Sequence, residues 1–384
     1  MMQFHWLMGL MLLATPLPGF ADETCRIAFD VGSSGIRVGA SKQDEQAKVS
    51  IDYLEDVWPD RIIDRTVTPT IEAFISLPKK AGLPTDCRAV AGGYSAWRFA
   101  LQQGDPTRLI DTLRQIHEQT QVPLFIIPQD IEGMHGHLAA RNALGERLKT
   151  PFTLDMGGGS LQIASQTSGW GTDLGQKAWR KLFCEQIKKS LDPLCAPNPV
   201  GRASLTETAR LLTPRLAEAQ KMVGVGMPIT AISAPVVKMI HPVLRFLASR
   251  QALIPAAGVD ETGFDRAALT AAIALLAPMD DAALAKLLTL PADEGTPPVC
   301  EARFLPTLVT DMLLIHTLMT GLEIERLEVA LAPVTNVPGL LADPHAAAWA
   351  DHYACYLRTL GTLGIEAFRG DPASCPAEPE SATR

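Results

Sequence analysis

The chain has 384 residues, room for two domains of about 150 residues and for more than one buried core. Hydrophobic residues make up 47% and charged residues 20%, which excludes disordered and collagen-like chains. With 34 Lys and Arg against 42 Asp and Glu, the formal charge of -8 excludes a general nucleic-acid binder, because no surplus of cations is available to neutralise a phosphate backbone. An anionic ligand would have to be met by local backbone N–H groups, a few Arg or a metal.

In chain order, Trp6 to Ala14 form one apolar block, broken by Pro16 and Pro18. Gly19-Phe20-Ala21 then offers small residues at a cleavage site, so 1–21 reads as a secretory signal peptide cut after Ala21. It departs from the usual pattern in having no Lys or Arg among its first five residues. The block is too short to span a bilayer, and no later run of about 18 apolar residues follows. Asp22-Glu23-Thr24 before Cys25 argues against a lipid anchor. The expectation is a soluble periplasmic or secreted protein with no stable membrane anchor.

Arg26–Phe29, Ile36–Ala40, Arg88–Ala91 and Leu124–Ile127 read as strands, and Ser95–Gln103 and Thr107–Gln119 as helices. Asp130 is a candidate N-cap for a helix reaching Leu144. After a strand pair around Asp155 the pattern is mostly helical: Lys177–Ser190, Ser204–Met222, Pro235–Ala248, Phe264–Leu276, Ala282–Leu290 and Phe304–Thr320. Ser204 and Glu207 form an S-x-x-E capping box. Strands alternating with helices predict α/β, with a first domain at 22–147, a larger and more helical second at 148–369, and a disordered Pro- and Ser-rich tail at 370–384.

All seven cysteines lie beyond the leader, and none forms a C-x-x-C. In an oxidising compartment they read as cross-links, with Cys25–Cys87 and Cys184–Cys195 the expected bridges. The odd total leaves one thiol free or paired between chains, as in a homodimer.

The chemistry is carried by a repeat. FDVGSSGIRVGA (Phe29 to Ala40) and LDMGGGSLQIAS (Leu154 to Ser165) align without gaps. In each, an apolar strand ends in Asp (Asp30, Asp155), and an apolar residue, a Gly (Gly32, Gly157) and three small residues follow. These are Ser33, Ser34 and Gly35 in one copy and Gly158, Gly159 and Ser160 in the other. Two copies imply duplicated halves facing one another across a cleft. Glycines let backbone N–H groups approach anionic oxygens, and Ser hydroxyls add uncharged donors, so the turns read as phosphate clamps. A carboxylate at the base of each clamp would repel phosphate unless a divalent cation lay between. Asp30 and Asp155 therefore read as ligands of Mg2+, or of another divalent cation such as Ca2+ or Mn2+. No G-x-x-x-x-G-K-[ST], G-x-S-x-G or H-E-x-x-H occurs, which sets aside P-loop, serine-hydrolase and zinc-hydrolase readings.

On these hairpins, and on Ser95-Ala96-Trp97-Arg98-Phe99-Ala100 as an S-A-x-R-x-A stretch, the sequence resembles the exopolyphosphatase/guanosine pentaphosphatase (Ppx/GppA) family of the acetate-kinase, sugar-kinase, Hsp70 and actin superfamily. A weaker part of the likeness is Phe304 to Leu341, ending in Gly339-Leu340-Leu341. The segment FIIPQDIEGMHG stands where that family carries I-S-G-x-E-E and keeps one of its two acids, Glu132. Asp30 to Arg37 and Glu132 to Gly136 also look like conserved regions of the nucleoside triphosphate diphosphohydrolases, or apyrases.

The resemblance implies two ribonuclease-H-like (actin- or Hsp70-type) domains facing across a cleft. It also implies metal-dependent hydrolysis of a phosphoanhydride in inorganic polyphosphate or a nucleoside polyphosphate. Glu132 is the candidate water-activating base, Arg98 the first candidate phosphate-binding cation and Arg37 the second. His135 and His137, two apart on a helix, do not share a face for a metal. Gly224 to Pro228 and Ile232-Ser233-Ala234-Pro235 stand where the superfamily carries a second Gly-rich turn, and Pro235 leaves fewer donors there. An apyrase and a non-catalytic phosphate-ligand binding protein remain the alternatives.

Overall fold

Seven residues, Arg26–Gly32, form β1, and five of them are buried in an unbroken row, the pattern of a strand covered on both faces. β1 pairs antiparallel with β2 (Gly35–Ala40), which pairs antiparallel with β3 (Gln46–Val49). On its other side β1 runs parallel to β4 (Arg88–Gly93), and β4 runs parallel to β5 (Leu124–Ile126). The order is β3-β2-β1-β4-β5. The computed structural model describes residues 25–41, 46–60, 63–84, 86–192, 194–201, 204–249, 253–288 and 299–375. The expected leader and the end of the tail lie outside these residues.

The second sheet repeats this wiring. β6 (Phe152–Met156), β7 (Leu161–Ala164) and β8 (Gly169–Thr172) form an antiparallel meander, and β6 runs parallel to β9 (Ile229–Ala231). β11 (Arg326–Val329) lies beyond β9, and β10 (Gly263–Asp265) adds an edge strand antiparallel to it. Reading β8-β7-β6-β9-β11 against β3-β2-β1-β4-β5 gives the same order and the same sense of pairing. The chain is thus an α/β protein of two ribonuclease-H-like bodies, the duplicated halves that the repeated motif implied and the domain type that the resemblance implied.

The second body is the more helical. Its core is built on helices Gln176–Gln186, Ser204–Val223, His241–Ser249, Arg266–Leu276, Asp281–Leu288 and Leu305–Gly321. A single helical stretch among the described residues, Ala302–Gly321, has the length and composition to cross a bilayer, a run the sequence reading did not find. Two thirds of it (67%) is buried inside the protein, which makes it a core helix.

Other expectations need correction. Residues from Val337 onward were expected with the second domain, yet Val337, Leu340, Trp349, Tyr353, Tyr356 and Phe368 pack in the first core. Phe125 on β5 meets the rings of Tyr356 at 5.0 Å, Tyr353 at 5.6 Å and Phe368 at 5.8 Å. The two tyrosines also satisfy the free edge of β5: Ile126 N–H donates to the Tyr356 hydroxyl (2.8 Å), and the Tyr353 hydroxyl donates to the Leu124 carbonyl (3.0 Å). An edge strand is thereby closed by side chains.

The expected disordered tail is ordered as far as Cys375. Asp371 caps a short 3-10 turn, and Cys375 is bridged to Cys355. The capping box is absent, because the Ser204 hydroxyl donates to the Val200 carbonyl and Glu207 pairs with Arg210 at 3.1 Å. Asp130 lies inside the first turn of helix Gln129–Leu144, behind Pro128, and pairs with Arg369. Both expected disulfides, Cys25–Cys87 and Cys184–Cys195, are formed, and the remaining thiol, Cys300, is buried.

Candidate active site

Asp30 and Asp155 occupy equivalent places near the ends of the central strands β1 and β6, and the bends that follow them meet. A Cβ placed on Gly158 would lie 2.4 Å from Ser33 Oγ, and one on Gly159 would lie 2.0 Å from Ser95 Oγ. Only glycine allows the second bend to come this close to the first body. Gly35 is fixed for a different reason: its φ is +143°, and a Cβ there would lie 2.1 Å from the Val49 carbonyl. Gly32, Ser33, Ser34 and Gly35 therefore face Gly157, Gly158, Gly159 and Ser160 as two bends on one cleft. Ser95, which also touches this junction, holds φ at +30°, a strained value for a residue with a Cβ.

Helix Gln129–Leu144 carries Glu132 into the junction. Its small residues let it lie against the second sheet: a Cβ on Gly133 would meet Ala164 Cβ at 2.9 Å. Glu132 is 7% exposed, and one carboxylate oxygen, Oε2, lies 2.7 Å from Arg98 Nη1. The same oxygen accepts from Gln162 Nε2 at 2.9 Å. Arg98 is 1% exposed, and it also donates to the Ile127 carbonyl (2.9 Å) and to Ser160 Oγ (3.0 Å). Gln162 Nε2 lies 2.8 Å from Ser160 Oγ as well. Helix Ala96–Gln103, helix Gln129–Leu144 and β7 thus converge on one buried carboxylate. The two terminal nitrogens of Arg98 are thus turned to Glu132, Ile127 and Ser160, while its buried Nε has no hydrogen-bond partner.

Burial raises the Glu132 pKa, and Arg98 opposes that rise by charge and hydrogen bond. Burial, followed by the neighbouring Glu132 and Asp30 carboxylates, pushes Asp155 up to about 7. Asp30 is 3% exposed, and Arg37 Nη1 reaches it at 3.3 Å. The Glu132 and Asp30 carboxylates act on Asp155 by charge, and carboxylate oxygens are donors that suit Mg2+ or Ca2+ better than a soft metal. Among the described residues, no group of three or more His, Cys, Asp or Glu side chains is placed to hold a metal ion. A cation held by Asp30 and Asp155 would need oxygens from its substrate or from water.

The histidines turn to separate partners: His135 Nε2 lies 2.9 Å from Asp343 Oδ2, and His137 faces Thr153. Gly224–Pro228 precedes β9, whereas Ile232–Pro235 leaves β9 on the side where Asp155 leaves β6. Sequence reasoning gave no role to Gln162, Ser95 or Tyr94. Gln162 had a visible signal, since it stands in the second repeat where Arg37 stands in the first. Tyr94, whose buried hydroxyl has no hydrogen-bond partner, carried none.

The fold matches solved structures. A Ppx/GppA protein from Aquifex aeolicus superposes with a TM-score of 0.59 at 13% identity, over 83% of this chain and 96% of that one. The chain has the Ppx/GppA fold. An exopolyphosphatase from Cytophaga hutchinsonii superposes with a TM-score of 0.56 at 10% identity, over 83% of this chain and 96% of its own. No protein-family profile matches the chain. In sequence, it is 31% identical over 142 residues to an uncharacterized protein of Streptomyces coelicolor, across 35% of this chain and 41% of that relative. The chain therefore spans less than half of the curated relative's length.

Proposed function

We propose that this protein is a Ppx/GppA-type phosphohydrolase that releases the terminal phosphate of a phosphoanhydride. The observation that carries the reading is the meeting of two equivalent Gly- and Ser-lined bends over a buried Glu132, held by Arg98 and Gln162. In this reading the bends clamp the terminal phosphate with backbone N–H groups and the Ser33, Ser34 and Ser160 hydroxyls. Asp30 and Asp155 would hold a divalent cation, which would supply charge neutralisation on the phosphoryl oxygens.

Glu132 takes a proton from a water whose oxygen bonds to the terminal phosphorus as the bridging P–O bond breaks. The shortened chain leaves on the bridging oxygen. Burial gives Glu132 the raised basicity that a general base needs, and Arg98 and Gln162 fix the direction of its carboxylate. Arg98 thus acts as a positioning residue. The three disulfides fit an oxidising compartment, and with the expected leader they support export.

The test is phosphate release by the purified mature protein from polyphosphate, ATP, ADP and guanosine pentaphosphate, with Mg2+ and with EDTA. Release that depends on Mg2+ is expected. No release from any of the four would contradict the hydrolase and leave a phosphate-ligand binding protein.

A further inference from the structure

The helix that carries Glu132, Gln129–Leu144, lies between parts of both bodies. On one side it rests on β7 and on the start of β8: a Cβ on Gly133 would lie 2.9 Å from Ala164 Cβ, and one on Gly169 would lie 2.4 Å from the Asp130 carbonyl oxygen. On the other side it meets helix Val337–Ala342, whose Val337 and Leu340 belong to the first core. A Cβ on Gly339 would lie 2.2 Å from the His135 carbonyl oxygen, so glycine lets the two backbones touch there.

Beside that contact sits a buried polar pair that the hydrolysis described above does not use. Asp343 follows Val337–Ala342 directly and begins helix Pro344–Ala350, where one of its oxygens, Oδ1, accepts from the His345 N–H at 2.8 Å. Its other oxygen, Oδ2, lies 2.9 Å from His135 Nε2, with the two side chains 13% and 6% exposed. Burial raises the Asp343 pKa, but the hydrogen bond and charge of His135 outweigh it and hold the carboxyl below its ordinary value. An ionised carboxylate only accepts, so Nε2 carries the proton and donates it. The second ring nitrogen, Nδ1, is buried with no hydrogen-bond partner, which leaves the bond to Asp343 to orient the ring. Glu132 and His135 stand three apart on the helix and are neighbours on its surface, so a shift of this turn would move both. An apolar contact here would add area alone, whereas a charge-assisted bond adds direction.

We propose that His135 and Asp343 are a positioning pair: their bond ties the turn that carries Glu132 to the first body and so sets the aim of the Glu132 carboxylate at the attacking water. This rests on the phosphohydrolase reading above. Arg98 and Gln162 hold the carboxylate itself, and the His135–Asp343 bond holds the backbone beneath it. In this reading His135 touches neither substrate nor cation, so its loss acts on turnover and leaves substrate binding in place.

The test uses the full mature protein and its variants His135→Leu and His135→Gln, with tripolyphosphate and ATP as substrates. His135→Leu should lose roughly ten- to hundred-fold in kcat, the scale of a misplacement of about 1 Å, with KM within about two-fold of wild type. His135→Gln, whose amide N–H can stand in for Nε2, should recover most of that loss. Wild-type kcat in His135→Leu would overturn the pair, as would a loss carried by KM or a Gln variant no better than the Leu variant. If the wild-type protein releases phosphate from neither substrate, the hydrolase reading fails separately, and amide hydrogen exchange of helix Gln129–Leu144 still decides the pair. Faster exchange in His135→Leu, restored in His135→Gln, upholds the tie between this helix and the first body. Equal exchange in the three proteins overturns it.

Discussion

At Gly159 the two bodies come together with no space for a methyl group. A Cβ there would meet Ser95 Oγ at 2.0 Å and Leu54 Cδ1 at 2.8 Å, and Ser95 is itself held at positive φ. Gly159→Ala should lower stability by about 1–3 kcal/mol, the usual penalty for overpacking. Ser95→Gly in the same chain should return part of that loss, since it removes the opposing hydroxyl and accepts the positive φ. Denaturant midpoints of the single and double variants check this coupling, and strict additivity would contradict the contact.

Asp30 and Asp155 were legible because the motif occurs twice. Arg98 was legible as a cation by its local pattern, but its engagement with Glu132 was not, because that pairing depends on where two helices cross. Gln162 gains its meaning from the same crossing, and only the alignment with Arg37 hinted at it.

Among the helices, Leu305–Gly321 holds the least expected charge. Asp311 is 0% exposed, Gln176 donates to one of its oxygens, and the other has no partner. Burial pushes it up to about 7. A carboxyl whose pKa is raised on folding contributes stability below its unfolded value near 4, and this is lost as pH rises through about 7. For Asp311 the loss amounts to at most about 4 kcal/mol, taking roughly three units at 1.36 kcal/mol each. Thermal unfolding from pH 4 to 8 should show stability falling across that window, and Asp311→Asn should flatten the fall. Asp155 and Glu132 leave a residual slope of the same sign. An unchanged slope in the variant would contradict the assignment.

The helix itself was expected at Phe304–Thr320, close to its observed bounds, although the length of its apolar run was missed. The capping box was not sound, because the Ser204 hydroxyl turns back to the Val200 carbonyl and Glu207 pairs with Arg210. Helices Pro344–Ala350 and Tyr353–Leu363 carry no motif, and their role in closing β5 is visible only in the folded chain.

For the whole molecule, duplicated strand order was readable from one repeated hairpin, whereas the chain's return to the first body after Val337 was not. That return is a matter of tertiary packing on Phe125, which no local pattern announces. Cys25–Cys87 ties the starts of β1 and β4 together across 62 residues. By loop-closure entropy its removal should cost about 4 kcal/mol at most. Guanidinium unfolding of a Cys25→Ser/Cys87→Ser variant should show the first body melting at lower denaturant, and an unchanged midpoint would contradict its structural role.

The proposed hydrolysis turns on Glu132, set where the two bodies meet. The most direct measurement compares Glu132→Gln with the wild-type protein for phosphate release and for binding of Mg2+ with tripolyphosphate. Release should fall by about a thousand-fold, as expected for loss of a general base, while binding stays within a few-fold. Turnover close to wild type in that variant would contradict the account.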